Sequence, residues 1–152
     1  MSPELEMVLR VALAAVLGGA VGYDRQRSNK PAGLRTHMLV AAGSALFVTS
    51  ALLAIDEFGG LNGTNLDVLR VTSAVATGIG FLGAGAILRG DHRVRGLTTA
   101  AGVWVTAGIG LAAGLGQYLL SVGATVIAVV VIALLGSEWV PEPGARSTSS
   151  EE

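Results

Sequence analysis

The sequence predicts an all-α membrane protein, a polytopic bundle of about five transmembrane helices with its N-terminus outside and its C-terminus in the cytoplasm. Of its 152 residues, 51% are hydrophobic. The charged residues make up only 14% and fall in narrow bands between long apolar stretches, whereas a soluble domain scatters its charges. Lys and Arg are also distributed unevenly between these bands, and this asymmetry predicts the orientation in the membrane.

Five apolar stretches are long enough to cross a bilayer. A hydrocarbon core of roughly 30 Å requires about 20 residues of helix at about 1.5 Å per residue. The expected spans are Leu5–Gly22, Thr36–Ile55, Leu66–Leu88, Leu97–Leu115 and Gln117–Gly136. Residues 1–136 are therefore expected to form one transmembrane domain. The tail over residues 137–152 is rich in Pro, Gly, Ser and Glu, and it is expected to be disordered in the cytoplasm.

The loops between the spans differ in basic charge, and basic loops of polytopic proteins stay in the cytoplasm. The second loop contains Asp56 and Glu57 without Lys or Arg, so it is expected outside. The first and third loops are expected at the cytoplasmic surface, where they form a basic face that attracts anionic lipid or an acidic patch on a protein partner. This basic face consists of Arg27, Lys30, Arg89, Arg93 and Arg95. So small a patch on a membrane protein does not indicate nucleic-acid binding.

The junction of the first two spans contains ionisable groups at the membrane edge. Asp24 and Arg25 end the first span, and the second helix is expected to begin near Pro31, because proline suits a first helical turn. Arg35 and His37 then lie at the interface, where an ionisable group is costly unless it is paired. The four ionisable residues are expected to form an ionic cluster with Asp24 as the anion, either as a structural clasp or as an ion-responsive site. His37 is the group that would sense cytoplasmic pH.

Arg25 also has a simpler interpretation. Together with Arg27 and Lys30, it is expected to fix the orientation of the chain and to contact anionic lipid headgroups, each contact contributing about 1 kcal/mol.

The chain contains 22 glycines, most of them inside the apolar spans. Small residues let helix backbones approach closely in a membrane, and they also occur where broken helices line an ion path. Close packing is favoured because no acidic residue lies in the middle of a span to coordinate a cation. The glycines expected at packing surfaces are Gly18, Gly22, Gly78, Gly80, Gly83, Gly85, Gly110 and Gly114.

The sequence predicts no enzyme and no cofactor. Gly78–Gly83 matches the G-x-G-x-x-G dinucleotide fingerprint, but that fingerprint needs a preceding strand and an acidic residue about 20 positions later, where this chain has Val103. The chain has no cysteine, no His or carboxylate cluster with metal-ligand spacing, and no serine in a nucleophile setting. Whether a metal binds elsewhere stays open at this point.

Two blocks of the sequence resemble the signature of the MgtC/SapB family of bacterial and archaeal membrane proteins. The first is Gly22–Val40, with Asp-Arg followed by Pro-Ala-Gly-Leu-Arg-Thr-His. The second starts at Thr77 with Thr-Gly-Ile-Gly-Phe-Leu-Gly-Ala-Gly-Ala-Ile-Leu-Arg and continues to Gly114. With their spacing, the blocks extend the resemblance over roughly residues 8–135. The chain departs from the family at Ala74, where relatives commonly have a polar residue such as Gln.

The resemblance implies an inner-membrane protein of about five helices. The best-known relatives support growth under magnesium limitation and survival inside host macrophages, and inhibition of the proton-translocating ATP synthase has been ascribed to one of them. In those relatives a cytoplasmic C-terminal domain follows the membrane domain. This chain resembles the shorter branch of the family, which consists of the membrane domain alone.

Two functions remain open. The favoured one is a regulatory or interaction protein linked to magnesium-limited growth, which forms a homo-oligomer such as a dimer and presents its basic face to another membrane complex. The alternative is a small transporter or channel for magnesium or another ion, with a broken helix over Thr77–Gly85 and Asp24 near its cytoplasmic mouth. An ion-flux assay on purified protein in liposomes distinguishes the two functions.

Overall fold

The computed structural model describes residues 2–58, 67–89 and 94–135, with the side chains of residues 88, 89, 134 and 135 outside the description. Helices α1 to α5 run over Pro3–Arg27, Leu34–Phe58, Val68–Gly85, Leu97–Gly114 and Tyr118–Leu135. Strands β1, Leu88–Arg89, and β2, Val94–Arg95, pair antiparallel between α3 and α4. Helices α1 to α4 are each long and apolar enough to cross a membrane, and α5 is a further apolar helix. The predicted all-α membrane bundle is confirmed.

The second helix starts at Leu34, so the prediction of a start near Pro31 was wrong. Proline favours a first helical turn, but here the packing of the preceding turn decides where the helix starts. Asn29 adopts a left-handed conformation with φ of 50°, and Ala32 is buried in a cluster with Val103 and Ala107 of α4. Residues 28–33 thus fold back against the bundle before α2 begins.

The third helix is shorter than the predicted span of Leu66–Leu88, because it ends at Gly85 and Leu88 belongs to β1. Gly96, at the start of α4, has a φ of 90°, and a β-carbon there would overlap the carbonyl oxygen of Ala86. Helices α3 and α4 are therefore joined through a close backbone approach that the apolar pattern of the sequence did not indicate. Leu66 itself lies outside the described residues.

Successive helices run in opposite directions. Position 22 of α1 lies against Leu34, and Gly18 lies against Ala41, so α1 and α2 are antiparallel. Gly102 and Gly110 of α4 lie against His37 and Ala41 in the same order, so α2 and α4 are parallel. One end of the bundle therefore contains the end of α1 and the starts of α2 and α4. We call this end, with Arg25, Arg27, Lys30, Arg35 and Arg95, the basic end.

Helix α4 is the centre of the bundle and contacts each of the other four helices. Its neighbours pack closely because their contact residues are small, as in the fully buried cluster of Ala14, Ala41, Ala45 and Ala113. Helix α3 is the most exposed of the four long helices, and Gly83 is its one buried residue. The bundle thus consists of a compact group, α1, α2, α4 and α5, with α3 attached at its side.

Arg10 joins α1 to the turn after α4 at the end opposite the basic end. Its Nη1 atom donates a hydrogen bond to the carbonyl oxygen of Gly114 at 3.0 Å, and its Nη2 atom forms an ion pair with Glu6 one turn earlier in α1. Gly116 leaves room for this guanidinium, since a β-carbon there would lie 3.1 Å from its Cζ atom. A carboxylate and a carbonyl thus satisfy part of this cation, while its buried Nε atom has no hydrogen-bond partner among the described residues.

Candidate functional site

Arg25, which was predicted either to join the ionic cluster or to contact lipid headgroups, points into the bundle. Its side chain is only 6% exposed, so the expectation of lipid contact was wrong for this residue. The Nη2 atom donates a hydrogen bond to the hydroxyl of Thr99 in α4 at 2.6 Å. Among the described residues, its Nε atom has no hydrogen-bond partner. The side chain of Arg25 points inward because it lies on the same side of α1 as the buried Gly18 and Gly22.

His37 is enclosed between α1 and α4 and is fully buried. Its Nδ1 atom donates a hydrogen bond to the carbonyl oxygen of Gly33 at 2.9 Å, which is one turn earlier. A β-carbon at Gly22 would lie 3.0 Å from His37 Cβ, and one at Gly102 would lie 3.5 Å from His37 Nε2. The imidazole therefore occupies a slot whose walls are glycine on both sides.

Thr99 and Thr106 complete a buried polar row on α4. They lie seven residues apart, with Gly102 between them, so the three positions share one face of the helix. Both threonines are at most 2% exposed, and the Oγ1 atom of Thr106 has no hydrogen-bond partner within the described part of the chain. We call Arg25, His37, Thr99 and Thr106 the polar core.

The contacts that Thr106 and Gly102 make between helices were not predicted from the sequence. The signal that would have identified them is the spacing of small and hydroxyl residues along α4. Thr99, Gly102 and Thr106 follow one another at intervals of three and four residues, which places them on a single helix face. Arg25 lies near the end of α1, at the same level of the bundle as Thr99. An arginine at that level would have indicated that this face of α4 contacts α1.

The structure does not bring the predicted ionic cluster together as a whole. Arg25 and His37 are buried, whereas Arg35 is exposed and Asp24 is partly buried. Asp24 lies close enough to exert an electrostatic effect on Arg25, but within residues 2–58, 67–89 and 94–135 it makes no ion pair. Arg25 is hydrogen-bonded to Thr99, and His37 is hydrogen-bonded to Gly33. The partner predicted from the sequence was Asp24.

Several members of the predicted basic face are exposed at the basic end. Arg27, Lys30 and Arg95 have exposed side chains, and Arg35 joins them. Arg89 has its backbone in β1, and its side chain lies outside the description, as does the whole of Arg93. The exposed cations therefore come from the end of α1, the connection to α2, the start of α2 and strand β2. They form a surface that is separate from the buried polar core.

The predicted packing glycines occupy two kinds of surroundings. A β-carbon at Gly18 would lie 2.5 Å from the carbonyl oxygen of His37, and one at Gly22 would lie 2.8 Å from Leu34 Cα. Gly110 and Gly114 meet α2 just as closely, with Ala41 Cα at 2.8 Å and Ala45 Cα at 3.0 Å from their added β-carbons. These four glycines thus permit the contacts of α2 with α1 and α4.

The glycines of α3 differ. Gly83 makes an ordinary contact with Ala100 of α4, and within the described part of the chain a β-carbon at Gly78, Gly80 or Gly85 would meet nothing within 4 Å. An apolar groove of about 650 Å³ lies between α2 and α3 beside Gly78. The packing role of these three glycines stays a prediction.

The polar core contains few side chains of the kind that bind metal ions. Within the described part of the chain, no three His, Cys, Asp or Glu side chains come together in a way that could hold a metal ion. The polar core combines the guanidinium of Arg25, the imidazole of His37 and two hydroxyls. This set can donate hydrogen bonds, and it offers the Nε2 lone pair of His37 as an acceptor.

Comparisons with known proteins agree with this architecture. Residues 11–138 match the model of the MgtC family. The "Putative magnesium transporter YhiD" of Escherichia coli K12 is 43% identical over 127 residues, which cover 84% of this chain and 59% of that protein. "Protein MgtC" of Salmonella typhimurium LT2 is 41% identical over 128 residues, covering 84% of this chain and 52% of that protein.

A cyanobacterial relative is covered more completely. "Protein SrpB" of Synechococcus elongatus is 40% identical over 139 residues, which cover 85% of this chain and 74% of that protein. The chain spans a little over half the length of the enterobacterial relatives. No solved structure shows significant similarity to it. The family match covers most of the five-helix bundle, and the chain is a membrane protein of the MgtC family.

Proposed function

We propose that this chain is a regulatory or interaction protein of the inner membrane that acts in magnesium homeostasis. The link to magnesium comes from the name of the Escherichia coli relative, and the inner membrane from the family resemblance. The observation that supports an interaction role is the exposure of α3 beside a compact bundle. Gly18 and Gly22 of α1 and Gly110 and Gly114 of α4 are buried against α2, whereas Gly80 and Gly85 of α3 have no neighbour within 4 Å of an added β-carbon among the described residues. The proposal includes no catalytic role.

The occupant of the exposed α3 face, in this proposal, is a second copy of the chain. Ala76, Gly80 and Ala84 lie at intervals of four residues, which is the small-residue spacing that pairs helices in membranes. The chain uses the same chemistry internally, since Gly110 and Gly114 bring α4 onto α2 with this spacing. Two copies that present the same face form a symmetric contact, and such closed dimers are the commonest oligomers.

The basic end provides the second surface, directed at another membrane complex. Arg27, Lys30 and Arg35 are exposed there, so they are free to meet an acidic patch or anionic lipid. Arg25 does not belong to this surface because its guanidinium is buried against Thr99. Exposed charges of this kind act mainly on the rate and specificity of association.

Affinity purification from native membranes tests the interaction role. We expect the chain to co-purify with another membrane complex, and we expect the triple substitution Arg27→Gln, Lys30→Gln and Arg35→Gln to reduce this recovery. Arg70→Gln is the matched control, since Arg70 is an exposed cation at the opposite end of the bundle. Equal recovery from the triple variant, the control and the unmodified chain would contradict the proposal.

Ion transport is the second candidate function. The name of the Escherichia coli relative favours it, and so does the polar core, because polar groups at membrane depth often mark ion paths. Purified protein in liposomes, with a magnesium gradient and an internal indicator, separates the two candidates. Our proposal predicts no flux above that of empty liposomes. A magnesium flux that the protein carries would establish transport instead.

A further inference from the structure

We propose that His37 is a buried proton-binding site and that its protonation loosens the contact between α1, α2 and α4 at the basic end. Its ligand is the proton, and its location is the glycine-walled slot between α1 and α4. The proposal does not depend on which partner or ion the protein handles. Its basis is the hydrogen-bonding state of the imidazole and the charge beside it.

The hydrogen bond to Gly33 determines the tautomer of His37. A carbonyl oxygen only accepts hydrogen bonds, so Nδ1 carries the proton in the 2.9 Å contact with Gly33. In the neutral ring, Nε2 is then an acceptor with a free lone pair. This atom is buried and has no hydrogen-bond partner among the described residues. It is therefore the atom that takes up a proton on acidification.

The surroundings of Nε2 oppose a second proton while the bundle is closed. From α1, Arg25 lies close enough for its positive charge to act on the imidazole, and Asp24 in turn acts on Arg25. From α4, the facing groups are Gly102 and the hydroxyls of Thr99 and Thr106, which do not titrate. From α5, Ile132 reaches the same point beside Gly102. Within the described residues, no carboxylate is bonded to His37.

Glycine packing makes hydration of the protonated ring depend on helix movement. Gly18 and Gly22 hold α1 against the backbone of α2 around His37, and Gly102 holds α4 against Nε2. Water reaches Nε2 only when these contacts separate. A positive charge on His37 is costly while the ring is buried beside Arg25. The cost is much smaller once water hydrates the ring. By linkage, acidification therefore favours the form in which α4 has moved away from His37.

The absence of cysteine from the chain allows a direct test. Val103 is 3% exposed and packs in a cluster with Ala32 and with Val40 of α2, so a Val103→Cys variant reports whether α4 has separated from α2. Its labelling rate with a water-soluble maleimide is divided by that of a Ser28→Cys variant, in which the thiol replaces the exposed Ser28. This ratio removes the effect of pH on thiol reactivity.

We expect the ratio to stay constant above about pH 7 and to rise as the pH falls below about 6.5, the ordinary pKa of a hydrated histidine, by at most about tenfold per pH unit for one linked proton. In a His37→Gln background the ratio stays constant, because glutamine does not titrate. In an Arg25→Gln background the total rise is smaller, because the closed form then opposes protonation of His37 less. A constant ratio in the unmodified background, or the same rise with His37→Gln, would overturn the proposal.

A second measurement leaves His37 unchanged and so does not depend on the folding of the glutamine variant. The chain has two histidines, and His92→Gln leaves one imidazole for nitrogen NMR. We expect the Nδ1–H tautomer near neutral pH and protonation of Nε2 at the same pH as the labelling rise. Observation of the Nε2–H tautomer, or protonation without any labelling change, would refute the proposed site.

Discussion

Helices α4 and α3 are both rich in glycine, but they place it in opposite surroundings. Gly110 and Gly114 of α4 lie against the backbone of α2, and Gly78 and Gly80 of α3 have no neighbour at the position of a β-carbon among residues 2–58, 67–89 and 94–135. Within one chain, the same residue type thus closes one interface and leaves another surface uncovered. Glycine content in a membrane helix therefore predicts close approach of another helix, without identifying whether that helix is in the same molecule.

The largest effect is expected from a bulky residue in the closed interface. A β-carbon at Gly110 would overlap the carbonyl oxygen of Ala41, so Gly110→Leu forces two helix backbones apart. We expect the free energy of unfolding in detergent to fall by about 3 kcal/mol or more, at the upper end of overpacking effects. Denaturant titration measures it.

The matched control lies two residues away on the same helix. Gly108 is exposed and, among the described residues, has nothing within 4 Å of an added β-carbon, so Gly108→Leu is expected to leave the free energy of unfolding unchanged or to raise it by up to about 1 kcal/mol through helix propensity. Equal destabilisation by the two substitutions would show that α4 is not held against α2 in the described way.

The polar core provides the second test of the closed interface. Thr99→Val removes the hydroxyl that accepts the hydrogen bond from Arg25 and leaves that guanidinium without it. We expect a loss of about 1–3 kcal/mol in the free energy of unfolding, the usual cost of an unsatisfied buried polar group. Thr98→Val is the control because Thr98 is exposed, and thermal unfolding of both variants in one detergent gives the comparison. A Thr99→Val variant as stable as Thr98→Val would contradict the buried position of Arg25.

A smaller loss of stability is expected when the ion pair between Glu6 and Arg10, which lies near the surface, is removed. Glu6→Gln removes the ion pair with Arg10, but Glu6 is 40% exposed and Arg10 keeps its hydrogen bond to Gly114. We expect a loss of about 0.2–1 kcal/mol that shrinks at high salt. Glu4→Gln controls for the acidic first turn of α1, since Glu4 occupies the same turn. A salt-independent loss, or an equal loss for Glu4→Gln, would argue against the ion pair.

The smallest effect on stability is expected on α3. Gly80→Ala introduces a methyl group into open space, and alanine favours a helix by up to about 1 kcal/mol over glycine. In dilute detergent, where copies are dissociated, we expect the free energy of unfolding to stay constant or rise slightly. A clear loss under these conditions would mean that the open face of α3 is already covered within the chain. Calorimetry at two protein concentrations checks this prediction.

Sequence patterns predicted the helices better than their contacts. Apolar length and the positions of charged bands located all five helices, because a helix in lipid must satisfy its own backbone hydrogen bonds. The start of α2 depends on the burial of Ala32, and the end of α3 depends on a left-handed Gly96 against Ala86, neither of which periodicity reports. Both are contacts between residues on different elements.

The candidate site shows the same division. Arg25 and His37 were identified as ionisable groups near the membrane edge, but their partners were not. Sequence analysis chose Asp24 because opposite charges attract, whereas the structure uses the hydroxyl of Thr99 and the carbonyl of Gly33. Which side of α1 faces α4 depends on glycine positions in both helices at once. A single sequence does not specify that combination.

The contrast between the two glycine surfaces leads to one direct measurement, disulfide cross-linking of single-cysteine variants in native membranes. Gly80→Cys places a thiol on the open face of α3, Gly108→Cys places one on an exposed face of α4, and Ala113→Cys places one in the closed core. The account predicts a covalent dimer of the chain for Gly80→Cys, and little or none for the two control variants. Dimer formation by Gly80→Cys that is no greater than that by Gly108→Cys would contradict it.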